Sequence, residues 1–435
     1  MHFDLCRRRL HLRRLLSQTR YSPFSLGETL GLRPVAEEPS PSPPTPLPGG
    51  EGRNERCGQP RGRLKAELQL LVFALVVLFT NAPSRADEPP AGWQKDAAAR
   101  YLDGRAKAWF EFSDAERGEP GTKSACVSCH TIAPYALARP VLRRLAGAKQ
   151  PTEYEKKILA QTKMRVAAWD DLDSSKYALM YDFDEHKAHQ SWGTEAVLNA
   201  FLLACDDRDE KRAGPSEATR QAFTNLWRTQ ESEGDQRGSW DWLNFNFEPW
   251  ESPGGRYYGA ALAAIAVGTA PGYYKPGADA TVDGHVALLR SYLRDRRDAQ
   301  NKFNRIWLLW ASQNLEALIT LEERDALIGE LLRAQEADGG WRLASLGQFQ
   351  RKDETAQVAT SDGFATGLVL HVLQTVGVQK DNPRVSKGLS WLRASQSGSG
   401  AWIASSLNKE RDPATHAGRL MCDAATAYAI LALGH

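Results

Sequence analysis

Beyond residue 150 the hydrophobic positions recur at helical spacing, and strand-like alternation is nearly absent. Segment 192–205 (WGTEAVLNAFLLAC) is apolar on most faces, the pattern of a helix buried on several sides. Segments 257–268, 363–376 and 423–433 share that pattern and are rich in small residues. Between them run amphipathic segments at 217–229, 282–294, 321–334 and 383–394. The alternation predicts amphipathic helices interleaved with helices buried on several sides. Upstream, the pattern predicts a helix over 96–112 and a short one over 140–146.

A repeated turn joins the two helix types. An amphipathic helix ends in Gln, a Gly-rich turn follows, then a Trp, a loop and a buried helix. The copies are Gln230 with Gly238-Ser239-Trp240, Gln335 with Gly339-Gly340-Trp341, and Gln396 with Gly400-Ala401-Trp402. A degenerate unit is expected around 300–318. Q-x-x-x-G-x-W resembles the QW motif of squalene–hopene cyclases and prenyltransferase-type α/α toroids. The resemblance covers roughly residues 150–435. It implies an all-α fold, an α/α toroid of helical hairpins, with the Gln and Trp bracing each turn. The arrangement also looks like bacterial proteins that join a haem-attachment motif to such repeats.

That motif is Cys126-Val127-Ser128-Cys129-His130. C-x-x-C-H is the attachment site of a c-type haem: two thiols form thioethers with the vinyl groups, and the imidazole becomes the proximal iron ligand. A thioredoxin-like redox pair would want a βαβ context, and a structural zinc site would want a second Cys/His pair. Neither stands nearby. The cofactor expected is one covalent haem c. For the sixth iron position the sequence leaves Met180, Met164, His186, His189 or no ligand open. Met180 is preferred for its apolar, aromatic neighbours.

The N-terminus bears on whether haem is attached at all. Residues 61–86 read as a secretory signal peptide: basic Arg61, Arg63 and Lys65, an apolar stretch over 70–79, and Ser84-Arg85-Ala86 as a cleavage site. The apolar stretch is short of the roughly 20 residues that span a bilayer, so a periplasmic or secreted chain is expected, with an uncleaved anchor as the alternative. Membrane association is left open. Residues 1–60, Arg-rich and then Pro/Gly/Ser-rich, cannot bury a core and read as a disordered extension or a mis-called start. The domains expected are 1–60, the signal peptide 61–86, a haem-attachment segment 87–150 and the toroid 151–435. Composition adds little: 55 basic against 53 acidic residues give a net charge of +2 and no electrostatic case for nucleic acid. Cys205 and Cys422 read as small buried hydrophobes rather than a disulfide.

The family's cyclases protonate their substrate with D-x-D-D at the start of an inner helix. Asp362 and Asp423 occupy comparable helix starts, but each stands alone and reads as an N-cap or first-turn residue. The clusters at 170–173, 182–185 and 206–209 read as charged loops or lie outside the repeats. Protein prenyltransferases hold zinc with Asp, Cys and His; His416, Cys422 and Asp423 supply the types without the pattern. The aromatic cluster Trp242, Phe245, Phe247, Trp250, Tyr257 and Tyr258 reads first as core and second as a cavity lining. The function expected is therefore a periplasmic c-type haem-binding protein with electron transfer activity. Its specific form is an oxidoreductase acting on an apolar or isoprenoid ligand in the toroid, served by a redox partner protein or small-molecule acceptor. The alternatives are a non-catalytic haem binding or sensor module and, lacking the paired acid, a terpene cyclase.

Overall fold

Twelve α-helices account for most of residues 92–435, which the computed structural model describes apart from 175–179 and 182–183. The expectations for 1–60 and for the signal peptide at 61–86 lie outside the described residues. In chain order the helices are α1 (Lys95–Phe110), α2 (Ile132–Leu145), α3 (Glu153–Ala167), α4 (Glu185–Asp209), α5 (Glu217–Arg228) and α6 (Gly255–Thr269). They continue with α7 (Ala280–Asp295), α8 (Lys302–Ala311), α9 (Leu321–Arg333), α10 (Gly363–Thr375), α11 (Pro383–Ala394) and α12 (Leu420–Leu433). A two-residue antiparallel pair, β1 (Glu116–Arg117) and β2 (Ser124–Ala125), is the one sheet among the described residues.

The even-numbered helices form an inner ring. α2 packs on α4, α4 on α6, α6 on α8, α8 on α10, α10 on α12, and α12 back on α2. Nearly every residue of α6, α10 and α12 is buried, as their apolar sequences demand. The odd-numbered helices bury one stripe each: α9 buries Leu327 and Leu331, and α11 buries Val385, Gly388, Leu389 and Leu392. This is the expected α/α toroid. The short helix predicted over 140–146 is longer and starts earlier. α2 begins at Ile132 and carries Pro140 in its interior, where a sequence reading stops helices.

The three Gln–Trp turns close in one way. Trp240, Trp341 and Trp402 each donate Nε1–H to a carbonyl of the preceding outer helix, at Leu226, Leu331 and Leu392. Gln230, Gln335 and Gln396 each donate Nε2–H across their own turn, to Gly238, Gly339 and Gly400. The same amides also reach the next outer helix, at the carbonyls of His285, Arg384 and Gln94. Gln94 is the N-cap residue of α1. The last turn therefore grips α1 as the earlier turns grip α7 and α11, and the hairpin α1–α2 completes the ring. Gly400 shows how closely: its φ is +89°, and a Cβ there would lie 2.2 Å from the backbone of Ala97 on α1. Trp93–His435 form one compact unit.

Candidate functional site

The loop between α1 and α2 carries Cys126, Cys129 and His130 into the ring interior. Its path is held from several sides. Trp109 on α1 donates Nε1–H to the carbonyl of Cys126 at 3.0 Å. Ser128 Oγ accepts from the amides of Thr131 and Ile132 at the start of α2. Arg165 on α3 is buried and makes a bidentate pair with Glu195 on α4, at 2.5 and 2.7 Å. Its remaining nitrogen donates to Ser124 Oγ at 2.6 Å, which anchors β2.

Asp423, in the first turn of α12, organises the other side. Its carboxylate accepts from Arg105 Nε at 2.6 Å, from the Tyr101 hydroxyl at 3.1 Å, and from Thr131 Oγ1 at 2.7 Å. Burial pushes this carboxyl above its ordinary range, against the three donors. Thr131 has one hydroxyl proton and donates it to Asp423. His130 Nδ1, 2.8 Å from the same hydroxyl, must therefore be the donor in its own contact. That sets the tautomer: the proton is on Nδ1, and Nε2 presents a lone pair. Burial, His416 and the cations Arg105 and Arg411 lower the His130 pKa to about 3, so the ring is neutral.

Two cavities flank this loop, of about 40 Å³ and about 30 Å³. Cys129, His130 and Glu251 line both. Cys126, Tyr181 and Trp242 line the smaller; Trp250, Arg411 and Met421 line the larger. Glu251 sits on the loop between Trp240 and α6, where its amide and carbonyl pair with Phe247 at 2.8 Å. Burial raises its carboxyl to about 7, with Lys187 pulling the other way. Cys129 neighbours the Tyr258 hydroxyl on α6. Burial raises Cys126 to about 11 and Cys129 further, so neither is a thiolate at neutral pH. Both are free thiols, as are Cys205 and Cys422.

The other sequence candidates are placed as follows. Met180 is buried, its sulfur accepts from Ser191 Oγ at 3.4 Å, and it lines neither cavity. Met164 is partly buried on α3. His186 and His189 are exposed beside Asp241, with His189 Nδ1 3.4 Å from its carboxylate. Asp362 is the N-cap of α10, accepting from the amides of Phe364 and Ala365. The aromatic cluster divides: Trp242, Trp250 and Phe247 reach cavity walls, while Tyr257 is bound to the carbonyl of Leu293. Glu251, Arg411 and Met421 were not singled out in the sequence. Glu251 has the ordinary look of a charged loop residue, and the other two stand far along the chain from His130.

No family model matches the chain, and no curated protein matches it. Solved structures resemble the chain over most of its length at low identity. A GH76A alpha-1,6-mannanase from Salegentibacter sp. HEL1_6 is 10% identical, with a TM-score of 0.46, over 79% of this chain and 100% of its own. A glycosidase is 10% identical, with a TM-score of 0.43, over 78% and 97%. A glycosyl hydrolase of family 88 from Bacteroides vulgatus is 11% identical, with a TM-score of 0.27, over 84% and 97%. The function expected from the sequence, a haem-binding electron-transfer protein or oxidoreductase, is not the activity of these structures, which are a mannanase, a glycosidase and a glycosyl hydrolase. The expected metal binding has no side-chain cluster behind it: among the described residues no group of three or more His, Cys, Asp or Glu is arranged to hold an ion.

The raised Glu251 carboxyl makes stability depend on pH. Its folded value near 7 lies above the ordinary glutamate value of about 4.3. Folding therefore takes up a proton between those limits. The contribution is complete below about 4.3 and is lost as pH rises through 7. Chemical denaturation at pH 5 and pH 8 is expected to show the wild type losing stability relative to Glu251→Gln. Parallel behaviour of the two proteins would contradict the assignment.

Proposed function

We propose that the toroid interior, once a shift of the Glu251 loop enlarges cavities that now hold only a few waters, binds a sugar-like ring and transfers a proton to or from it through Glu251. The observation that carries this is one carboxyl, poised near pH 7, on the wall common to both cavities. A general acid or base works best when its pKa lies near the working pH. Perturbed carboxyls in clefts are the usual mark of such chemistry. Trp250, Ser406 and Glu248 line the same wall, and Asn408 braces it by bonding both ends of its amide to the backbone of Glu248. His130, neutral and protonated on Nδ1, lines the same wall. The test is reducing-end release from a panel of polysaccharides. For a substrate that is cleaved, Glu251→Gln is expected to lower kcat/KM by about 10²–10⁴-fold, with the wild-type rate titrating near pH 7. Full activity in the variant would overturn the reading.

A second reading is favoured by a different observation. Cys126, Cys129 and His130 come together at the wall of one cavity, with the His130 proton on Nδ1. We propose that these three residues attach haem c, held by two thioethers and by His130. When bound, the group supplies an iron centre to the site. The donor chemistry suits it: both thiols are free, and a hydrogen-bonded Nδ1–H is what a ligating imidazole requires. Met421, which lines the larger cavity with His130 while Met180 lines neither, would be a further residue able to hold the group. The cavities hold only a few waters as they stand, so the loop bearing Glu251, on both walls, must shift to admit a macrocycle. Intact mass after expression in a haem-attaching host is expected to rise by one haem, and Cys126→Ala with Cys129→Ala is expected to remove it. An unchanged wild-type mass would overturn the second reading. The Gln–Trp turns also support a proposed kinship with squalene–hopene cyclases at the level of the repeat.

A further inference from the structure

We infer that His371 is an acid-sensitive latch: its protonation opens the end of the ring where the inner helices finish, loosening α10 from α8 and α12. This end lies away from the Cys126–His130 loop, since α12 begins beside Thr131 and runs toward His435. The inference rests on neither reading above.

His371 lies near the end of α10 and is 9% exposed, and neither of its ring nitrogens has a hydrogen-bond partner among the described residues. A neutral imidazole carries one donor and one acceptor, so both go unmade here. Buried groups left in that state are few in folded chains and mark a role outside packing. Trp310 on α8 meets the ring at 4.7 Å, with the two planes at 85°. His435, exposed just beyond the end of α12, lies 5.6 Å away. Arg208, near the end of α4, acts on the ring as a cation and is itself paired with Asp209. Lys380, in the loop after α10, donates to the carbonyl of His435. α11 meets α10 at Leu370 instead. Gln374, one turn on, donates to the carbonyls of Leu370 and Ala432, and its own oxygen has no donor. An imidazolium at this place would be a buried charge between an indole, a second imidazole and a guanidinium, and one neutral oxygen does not offset that. The ring takes up a proton only by leaving, and His435 marks the way to solvent. Its departure uncovers the seam between α10 and α12 that Gln374 bridges. Burial, His435 and Arg208 hold the imidazole down at about 3, against 6.5 for a free histidine. The stability tied to the neutral ring is therefore complete above 6.5 and is lost as pH falls toward 3. Histidines that gain charge only by changing place are the elements through which chains respond to acid.

The test compares the purified full chain with its His371→Leu variant by denaturant unfolding at pH 8 and pH 5. The wild type's folding equilibrium constant is expected to fall about 30-fold relative to the variant's between those values. Glu251, which contributes in the opposite sense, is common to both proteins and cancels. Hydrogen exchange read by peptide mass then locates the change. Peptides from the ends of α10 and α12 are expected to exchange faster at pH 5, after correction for the intrinsic rate, in the wild type and not in the variant. Those of α6 are expected to stay protected in both. Parallel stabilities in the two proteins overturn the latch, and so does a loss of protection spread evenly over the chain. Where His371→Leu does not fold, imidazole carbon-13 shifts of the wild type decide. A His371 ring still neutral at pH 5 in the folded chain supports the latch, and one that titrates near 6.5 there overturns it.

Discussion

A single buried carboxylate, Asp423, ties together the parts of the molecule that the interior site needs. It lies on α12, receives Arg105 and Tyr101 from α1, and receives Thr131 from the start of α2. Thr131 is 292 residues away in sequence. Arg105 and Asp423 are both buried, and breaking such a pair from one side costs about 3–5 kcal/mol. A buried ion pair is weak evidence of net stabilisation. Its consequence here is positional: it locks the last inner helix to the first hairpin and orients the loop that carries His130. The tautomer of His130 follows from it, because Thr131 has one proton to give.

The same closure is visible in the repeat. Gln396 reaches the backbone of Gln94 as Gln335 reaches Arg384 and Gln230 reaches His285. The toroid was legible because helical periodicity and the Gln–Gly–Trp turns are local signals, confined to spans of a dozen residues. The inner helices at 257–268, 363–376 and 423–433 were legible for the same reason: small apolar residues on every face leave a helix nowhere else to go. The place of α1–α2 in the ring was not. That hairpin has no Gln–Trp turn of its own, and Pro140 hides the length of α2. Its ring position depends on a turn from the opposite end of the chain.

The site was legible in part. The Cys126–His130 pattern marked the right loop, since motif spacing is itself local. The rest of the wall comes from the α4–α6 hairpin and from the loop before α12, and no spacing rule connects Glu251, Arg411 or Met421 to His130. Glu251 is the clearest case. Its sequence context is that of an exposed loop residue, and only burial among Trp250, Cys129 and His130 turns it into a group that titrates near neutrality. The thiols moved the other way: they looked reactive in sequence, and burial holds them protonated. Electron transfer, the function the motif suggested, drew on that local pattern alone.

Nitrogen-15 chemical shifts and one-bond N–H couplings of His130 in the apoprotein test the Asp423–Thr131–His130 arrangement most directly. The account predicts a neutral ring from pH 5 to pH 8, protonated at Nδ1 and not at Nε2, and loss of that single tautomer in Thr131→Val. A ring protonated at Nε2, or an imidazolium at pH 6, would contradict it.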